Sequence, residues 1–217
     1  MPDAHSARVV AHRTQSVVNL KHIALALYKF LVSSNHFPTD VRSKDGEPLL
    51  SWRVRILPFL EQDPLFQDFE VDEPWDSPHN TTLLERMPAT YAMPGSPAGL
   101  GMTFYRGFSG KSTLFDPWVP EGVAMDMITD GPQNTISVVE ARDAVPWSKP
   151  DTDLSCDVQQ PETSKRLLEA LGGHDAGGFN ALFCDGSVRF LRESIDPTVL
   201  RALVARDDRY PLAANSF

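Results

Sequence analysis

The stretch Ala7–Ser34, ARVVAHRTQSVVNLKHIALALYKFLVSS, decides how the rest of the chain is read. Val17, Leu20, Ile23, Ala24, Leu27, Phe30 and Leu31 recur at the three- and four-residue spacing of one helical face, while Lys21, His22 and Lys29 fall on the other side. The stretch contains no Pro or Gly, and it stops as helices stop, at Asn35 with Pro38 shortly after. One apolar stripe implies one covered face. At ~1.5 Å per residue the helix would be a rod of roughly 40 Å, more than a compact domain needs, so its far end is expected to be poorly covered. The plainest reading is an amphipathic core helix.

Outward from this spine, the 217 residues with 41% hydrophobic content are enough for a real core. A single domain over 1–217 is favoured over two small ones, with 1–34 as the spine, 35–161 as loop-rich insertions and short helices, and 162–206 as a C-terminal helix, hairpin and helix. The 29 acidic against 20 basic residues give a net charge of −9, which repels phosphate backbones and argues against nucleic acid as a partner. Eighteen prolines exceed the usual ~5% and predict pinned, irregular loops in the middle of the molecule. The two cysteines, Cys156 and Cys184, are too few for a disulfide framework and lack zinc spacing, so free thiols are expected. The most apolar run, Ile23–Tyr28, falls far short of a membrane span.

Ser51 is a plausible N-cap for WRVRILPFLEQ, with Pro58 limiting that helix, and Asp63-Pro64 opens LFQDF as N-cap and first helical residue. Thr81–Met87 predicts a helical turn or two. From Pro88 to Gly122 the Gly, Pro and Ser content predicts short strands between turns. Thr135–Ala141, TISVVEA, is a β-branched strand with Ile136, Val138 and Glu140 on one side, Glu140 near an edge; Val145–Leu154 comes next as loop. Glu162–Leu171 predicts a short helix closed by Gly172-Gly173. Phe179–Leu191, FNALFCDGSVRFL, predicts a hairpin around Asp185-Gly186 with a two-residue I′ turn. That register pairs Phe183 with Val188 and Ala181 with Phe190 on a core face. Asp196-Pro197 caps a last helix, and the tail from Asp207 is expected to fray.

For chemistry, His174 and Asp185 among their glycines invite a catalytic or ligand reading, but both residue types have ordinary work in loops and turns. No GxSxG, HExxH or P-loop pattern occurs. A Ca²⁺ site near Asp126, Asp130 or Asp151 is allowed by charge, with solvated turn-formers as the alternative. Trp52, Trp75, Trp118 and Trp147 could form a ligand-lining platform or could plug loops onto the core.

Taken in order, VNLKHIALALYKF with NHFP, SWRVRILPFLEQDPLF, PWDSPHN, ITDGPQNTI with VVEA, VPWSKP, and GGHDAGGFNALFCDGSVRFL with SIDPTVLRAL resemble one bacterial family. It is the prepilin-type domain of unknown function fifteen fifty-nine, also catalogued as extracellular solute-binding family ten, with a C-terminal histidine to Asp-Gly motif. The resemblance implies an α+β, pseudopilin-like fold: a long N-terminal helix packed on a small antiparallel sheet with loop-rich insertions. It implies structural roles for His174, Gly177, Gly178, Asn180, Asp185 and Gly186. Family members carry a prepilin leader and an apolar anchoring helix ahead of this region, so the Ala7 helix would be the continuation of that segment, and any membrane attachment would run through it. Departures are the ten residues between His174 and Asp185 where the family usually has nine, Ser16 and Met93 at positions commonly cysteine, and Asp207-Asp208-Arg209 for a GGE-like ending. If the family's two cysteines bond, Ser16 and Met93 should lie close together.

The expectation is a non-enzymatic, cell-surface or extracellular structural and assembly domain without a cofactor. Its partners would be other pilin-like or cell-surface proteins, copies of itself included. Capture of an extracellular small molecule or glycan is the runner-up, and a hydrolase or metal-dependent enzyme comes third.

Overall fold

The computed structural model describes residues 4–96, 98–175 and 177–212. Helix α1 runs Ala4–Ser34, three residues longer at its start than the sequence pattern indicated. Its buried stripe is Ser16, Asn19, Leu20, Ile23, Ala26, Leu27, Phe30 and Leu31. It ends where Asn35 takes a left-handed φ of 65° and donates its N–H to the Leu31 carbonyl at 2.7 Å. No helix among the described residues is long and apolar enough to cross a membrane.

After α1 come the short ribbon strands β1 (Val41–Arg42) and β2 (Pro48–Leu50), then α2 (Trp52–Arg55). Ser51 caps α2 by accepting the Arg53 N–H, and Pro58 confines the next residues to a tight turn at Leu57–Leu60. Helix α3 (Asp63–Asp68) starts one residue earlier than expected, so Asp63 lies inside it and Gln62 is the N-cap. Tight helical turns at Asn80–Arg86 and Ala89–Tyr91 lead to β3 (Met102–Arg106) and β4 (Phe108–Ser109). Strand β5 spans Ile136–Pro146 and therefore absorbs the start of the segment expected as loop. Then come β6 (Leu154–Ser155), α4 (Pro161–Glu169), β7 (Gly178–Phe183), β8 (Val188–Arg192) and α5 (Pro197–Val204), with Asp196 accepting the Thr198 N–H.

The main sheet is antiparallel, in the order β3-β5-β7-β8, and β4 pairs with β6 in parallel at its side. The fold is thus α+β, a long N-terminal helix on a small antiparallel sheet. Helix α1 covers one face, where Tyr105, Val138 and Leu182 pack beneath Leu20, Ile23 and Leu27. The other face packs Val139, Ala141, Phe179, Ala181 and Phe183 against Leu167 of α4 and Leu200, Leu203 and Val204 of α5. Each fully buried Leu or Phe contributes about 1.5–3 kcal/mol, so both faces hold the sheet.

This second cover corrects two sequence expectations. The hairpin pairs Leu182 with Val188, Ala181 with Arg189 and Asn180 with Phe190, one residue away from the expected register. The Gly186 N–H bonds the Phe183 carbonyl at 2.9 Å, the Phe183 N–H bonds the Ser187 carbonyl at 2.9 Å, and only Gly186 of the turn has positive φ, 81°. The loop is therefore a three-residue turn with a left-handed glycine, and the I′ assignment does not hold. A slip of one residue moves every β8 side chain to the opposite face. Arg189 opposes Ala181, and Phe190 lies on the α1 side under the Arg13 guanidinium, 3.4 Å above its ring centre. In β5 an irregularity between Ile136 and Val138 breaks the alternation, so Ile136 packs with Val139 and Ala141, and Glu140 lies in the middle of the sheet at 2% exposure. The tail is also better held than expected. Arg206 is buried on Asp116 and the Thr113 carbonyl, and the Asp130 carboxylate accepts the N–H groups of Asp208 and Arg209.

Candidate functional site

His174 and Asn180 of the motif lie near one another where β5 and β7 meet α1, whereas Asp185 and Gly186 form the hairpin turn. Glu140 is the hub. Its Oε2 accepts the Asn180 N–H at 2.7 Å, and its Oε1 accepts the Asn180 side-chain amide at 2.8 Å and the Ser16 hydroxyl. Ser16 also meets the Tyr105 hydroxyl at 2.8 Å, and the Asn19 amide bonds the Ala92 carbonyl at 3.0 Å. Helix α1 and three strands are thus tied through one buried carboxyl group, with neutral side chains and a backbone N–H as its partners. Burial raises the Tyr105 phenol well above its usual range, so it remains a neutral member of this network.

His174 stands beside the hub. Its Nε2 donates to the Ala141 carbonyl at 2.8 Å, and its ring meets the Phe104 edge at 4.3 Å. Asp175 pairs with Arg13 at 3.2 Å. Gly172, Gly173 and Gly177 all have positive φ, a conformation that glycine adopts without strain. A Cβ on Gly178 would lie 2.2 Å from the Leu191 carbonyl, so the strand can approach β8 only with glycine there. Asp185 accepts the Ser187 N–H at 2.9 Å and lies well along the hairpin from His174. His174, Glu140, Ser16, Asp175 and Met93 line a cavity of about 190 Å³. Ser16 and Met93 both line this cavity. Among the described residues the imidazole bonds a backbone carbonyl and no carboxylate.

Other candidates disperse. Trp52 is buried, stacked on Phe115 at 4.9 Å with its Nε1–H on Asp153. Trp147 is buried, stacked on Tyr91 at 5.7 Å with its Nε1–H on the Leu84 carbonyl. Trp75 is half-buried beneath Lys149, and Trp118 is 71% exposed. Two of the four tryptophans, Trp52 and Trp147, are thus buried against aromatic rings and plug the loops. Asp130 holds the tail, Asp151 pairs with Arg42, and no group of three metal-ligating side chains occurs among the described residues. Burial pushes the Cys156 thiol up to about 12 and the Cys184 thiol higher still, which leaves both weak nucleophiles.

A second feature lies on the outer side of α1. Val18, Leu25 and Val32, spaced by seven, are 37%, 51% and 64% exposed, and Tyr28 is 60% exposed. Ala11, one more heptad towards the start, is exposed as well, with Thr14 and Lys21 between. Sequence reasoning sorted the helix into one apolar stripe and missed this one, although the seven-residue repeat of Ala11, Val18, Leu25 and Val32 could have exposed it. It also placed Glu140 at an edge. The available signal was an acidic residue inside a β-branched run, where a half-exposed strand would not need one.

A family model matches residues 5–114 and 147–198, and its description is "Protein of unknown function (DUF1559)", short name SBP_bac_10. No curated protein matches the chain, and no solved structure does. The match runs through α1, the short helices, the motif loop and the C-terminal hairpin, and on that evidence this chain belongs to the DUF1559 family.

Proposed function

We propose that the protein is a non-enzymatic, extracytoplasmic structural domain of pseudopilin-like kind, which assembles with copies of itself through the outer side of α1. The observation that carries this reading is the exposed heptad row Ala11, Val18, Leu25 and Val32 with Tyr28. Single exposed apolar residues need no explanation, but a row repeating every seven residues along one helix fits another helix. Lys21 and Thr14 interrupt the row, as polar residues do where register has to be fixed. The motif residues add support from the other side. Glu140, His174 and Asp185 each spend their hydrogen bonds on the fold, which suits a scaffold better than a catalyst.

The test is self-association of the purified chain and of a Leu25→Glu, Val32→Glu double variant by sedimentation, with a Leu25→Cys variant for cross-linking. Concentration-dependent association that the double variant abolishes at unchanged circular dichroism, together with Leu25→Cys disulfide dimers, is expected. A chain that stays monomeric at millimolar concentration and forms no Leu25→Cys dimer overturns the reading.

A further inference from the structure

A cavity of about 630 Å³ opens between the Thr39–Gly46 loop, the C-terminal end of α2, and the loops at 115–120 and 151–153. Its size lies within the range of small-molecule sites. None of its lining residues belongs to α1, so it is separate from the assembling helix face.

The charges on its wall divide into those already paired and those not. Asp116 is held by Arg206 at 2.9 Å, Asp153 by Arg53 at 3.1 Å, and Asp151 by Arg42. Lys44 is exposed at the rim. That leaves two half-buried charges of opposite sign, Asp40 and Arg55, which make no direct ion pair among the described residues although Arg55 feels the charge of Asp40. The Asp40 oxygens accept one backbone N–H each, from Trp52 at 2.8 Å and Asp151 at 2.7 Å, and each retains a lone pair. Arg55 gives Nη1 to the Thr39 carbonyl and hydroxyl, and its remaining donors meet no protein acceptor among the described residues. Burial, then the charge of Asp153, pushes the Asp40 carboxyl up to about 6, and burial lowers the Arg55 guanidinium from its usual value. The Arg55 guanidinium also lies 5.3 Å over the Phe30 ring, yet each group keeps hydrogen-bonding capacity in a poorly solvated place, which a ligand carrying both signs would use. The rest of the wall mixes the hydroxyls of Thr39, Ser43 and Ser109 with an apolar part that includes Phe66, Phe115 and Val119.

We propose that this cavity binds a free α-amino acid with an apolar side chain, its carboxylate on Arg55, its ammonium on Asp40 and its side chain against Phe66, Phe115 and Val119. This gives solute capture a specific place and a specific class of ligand.

Calorimetric titration of the full chain with leucine and phenylalanine tests it, alongside leucinamide, which lacks the carboxylate, and N-acetylleucine, which lacks the ammonium. Leucine should bind, and both derivatives should bind at least about tenfold more weakly, because each loses a charge-assisted hydrogen bond. Arg55→Gln and Asp40→Asn should each weaken leucine by about the same factor. Val71→Glu, at a rim position already 39% exposed, should weaken it without threatening the fold. The proposal is overturned if leucine and phenylalanine give no heat at millimolar concentration with folded protein, or if either derivative binds as well as leucine. Binding left unchanged by both Arg55→Gln and Val71→Glu also overturns it.

Discussion

Glu140, in the middle of the sheet, and Asp40, on the wall of the loop-built cavity, are both carboxylates drawn largely out of water, and their surroundings differ in kind. Glu140 collects three donors from α1 and β7 and lies under a helix. Asp40 has two backbone donors and a cavity in front of it. A carboxylate held by three donors from two elements acts as a fastener, whereas one held by two backbone N–H groups on the wall of the larger cavity keeps more capacity for a ligand. The two regions also differ in what supplies them: regular strands and a helix in one, Pro-pinned loops in the other.

The largest expected effect belongs to the fastener. Glu140→Ala strands the Asn180 N–H and amide and removes the acceptor of Ser16, all of them buried. Unsatisfied buried groups cost about 1–3 kcal/mol each, so a loss of about 3–5 kcal/mol is expected in urea unfolding. Glu140→Gln should lose less, since it keeps one acceptor, yet its own amide then faces the Asn180 donors. A Glu140→Ala loss below about 1 kcal/mol would show that the network is ornamental and that the two carboxylates are alike.

Asp40 should show itself through pH. Its folded pKa, about 6, lies above the unfolded value near 3.8, so the folded state holds the proton more tightly. The stability this contributes is present below about pH 4 and is lost as pH rises through 6. At ~1.4 kcal/mol per unit the loss is at most about 2–3 kcal/mol, less after solvent screening. Unfolding of the wild type and Asp40→Asn at pH 4 and pH 7.5 isolates the effect. The wild type should lose ground relative to the variant at the higher pH, and a gain there would mean that Asp40 is as well served as Glu140.

Gly186→Val probes how the fastener is kept in register. Asn180, which bonds Glu140 across to β5, lies on the strand that the three-residue turn joins to β8. Gly186 has φ 81°, and the nearest atom to an added Cβ is that of Ala24, at 4.0 Å. Space is ample, so the cost is backbone strain alone, about 1–2 kcal/mol in thermal or urea unfolding. An unchanged melting temperature would mean that the turn readily adopts another form and that register is fixed elsewhere.

Much of the spine and hairpin was legible because periodicity and turn chemistry are local. Asn35, Ser51 and Asp196 mark helix ends by the groups they carry, and no tertiary contact is needed to read them. Register was not legible. Both the expected and the actual hairpin bury Phe183 and Ala181, and with α1 on one face and α4 and α5 on the other, alternation no longer says which side is core. The irregularity after Ile136 is equally silent in TISVVEA, and it carries Glu140 from the expected edge to the centre. The cavity was least legible, because Asp40, Arg55 and Phe115 come from segments far apart in sequence and look like ordinary loop and helix residues in each.

The smallest expected effect concerns His174, which shares a cavity with Glu140 yet is held differently. It gives a hydrogen bond to the Ala141 carbonyl, and its ring packs edge-to-face with Phe104. The loop on which it sits has a second tether, Arg13 to Asp175 at 3.2 Å, and the Arg13 guanidinium in turn lies over Phe190. A net hydrogen bond is worth about 0.5–1.5 kcal/mol, and an aromatic edge contact about 0.5–1.5 kcal/mol. His174→Gln keeps a donor of similar reach and loses the ring, so it should cost about 1 kcal/mol in urea unfolding. His174→Ala should cost somewhat more, since the Ala141 carbonyl then faces the cavity alone. Losses near those of Glu140→Ala would place His174 inside the buried network and make the motif one cooperative unit. No loss in either variant would leave Arg13 and Asp175 as the true anchor of the loop, with the histidine merely resting on Phe104.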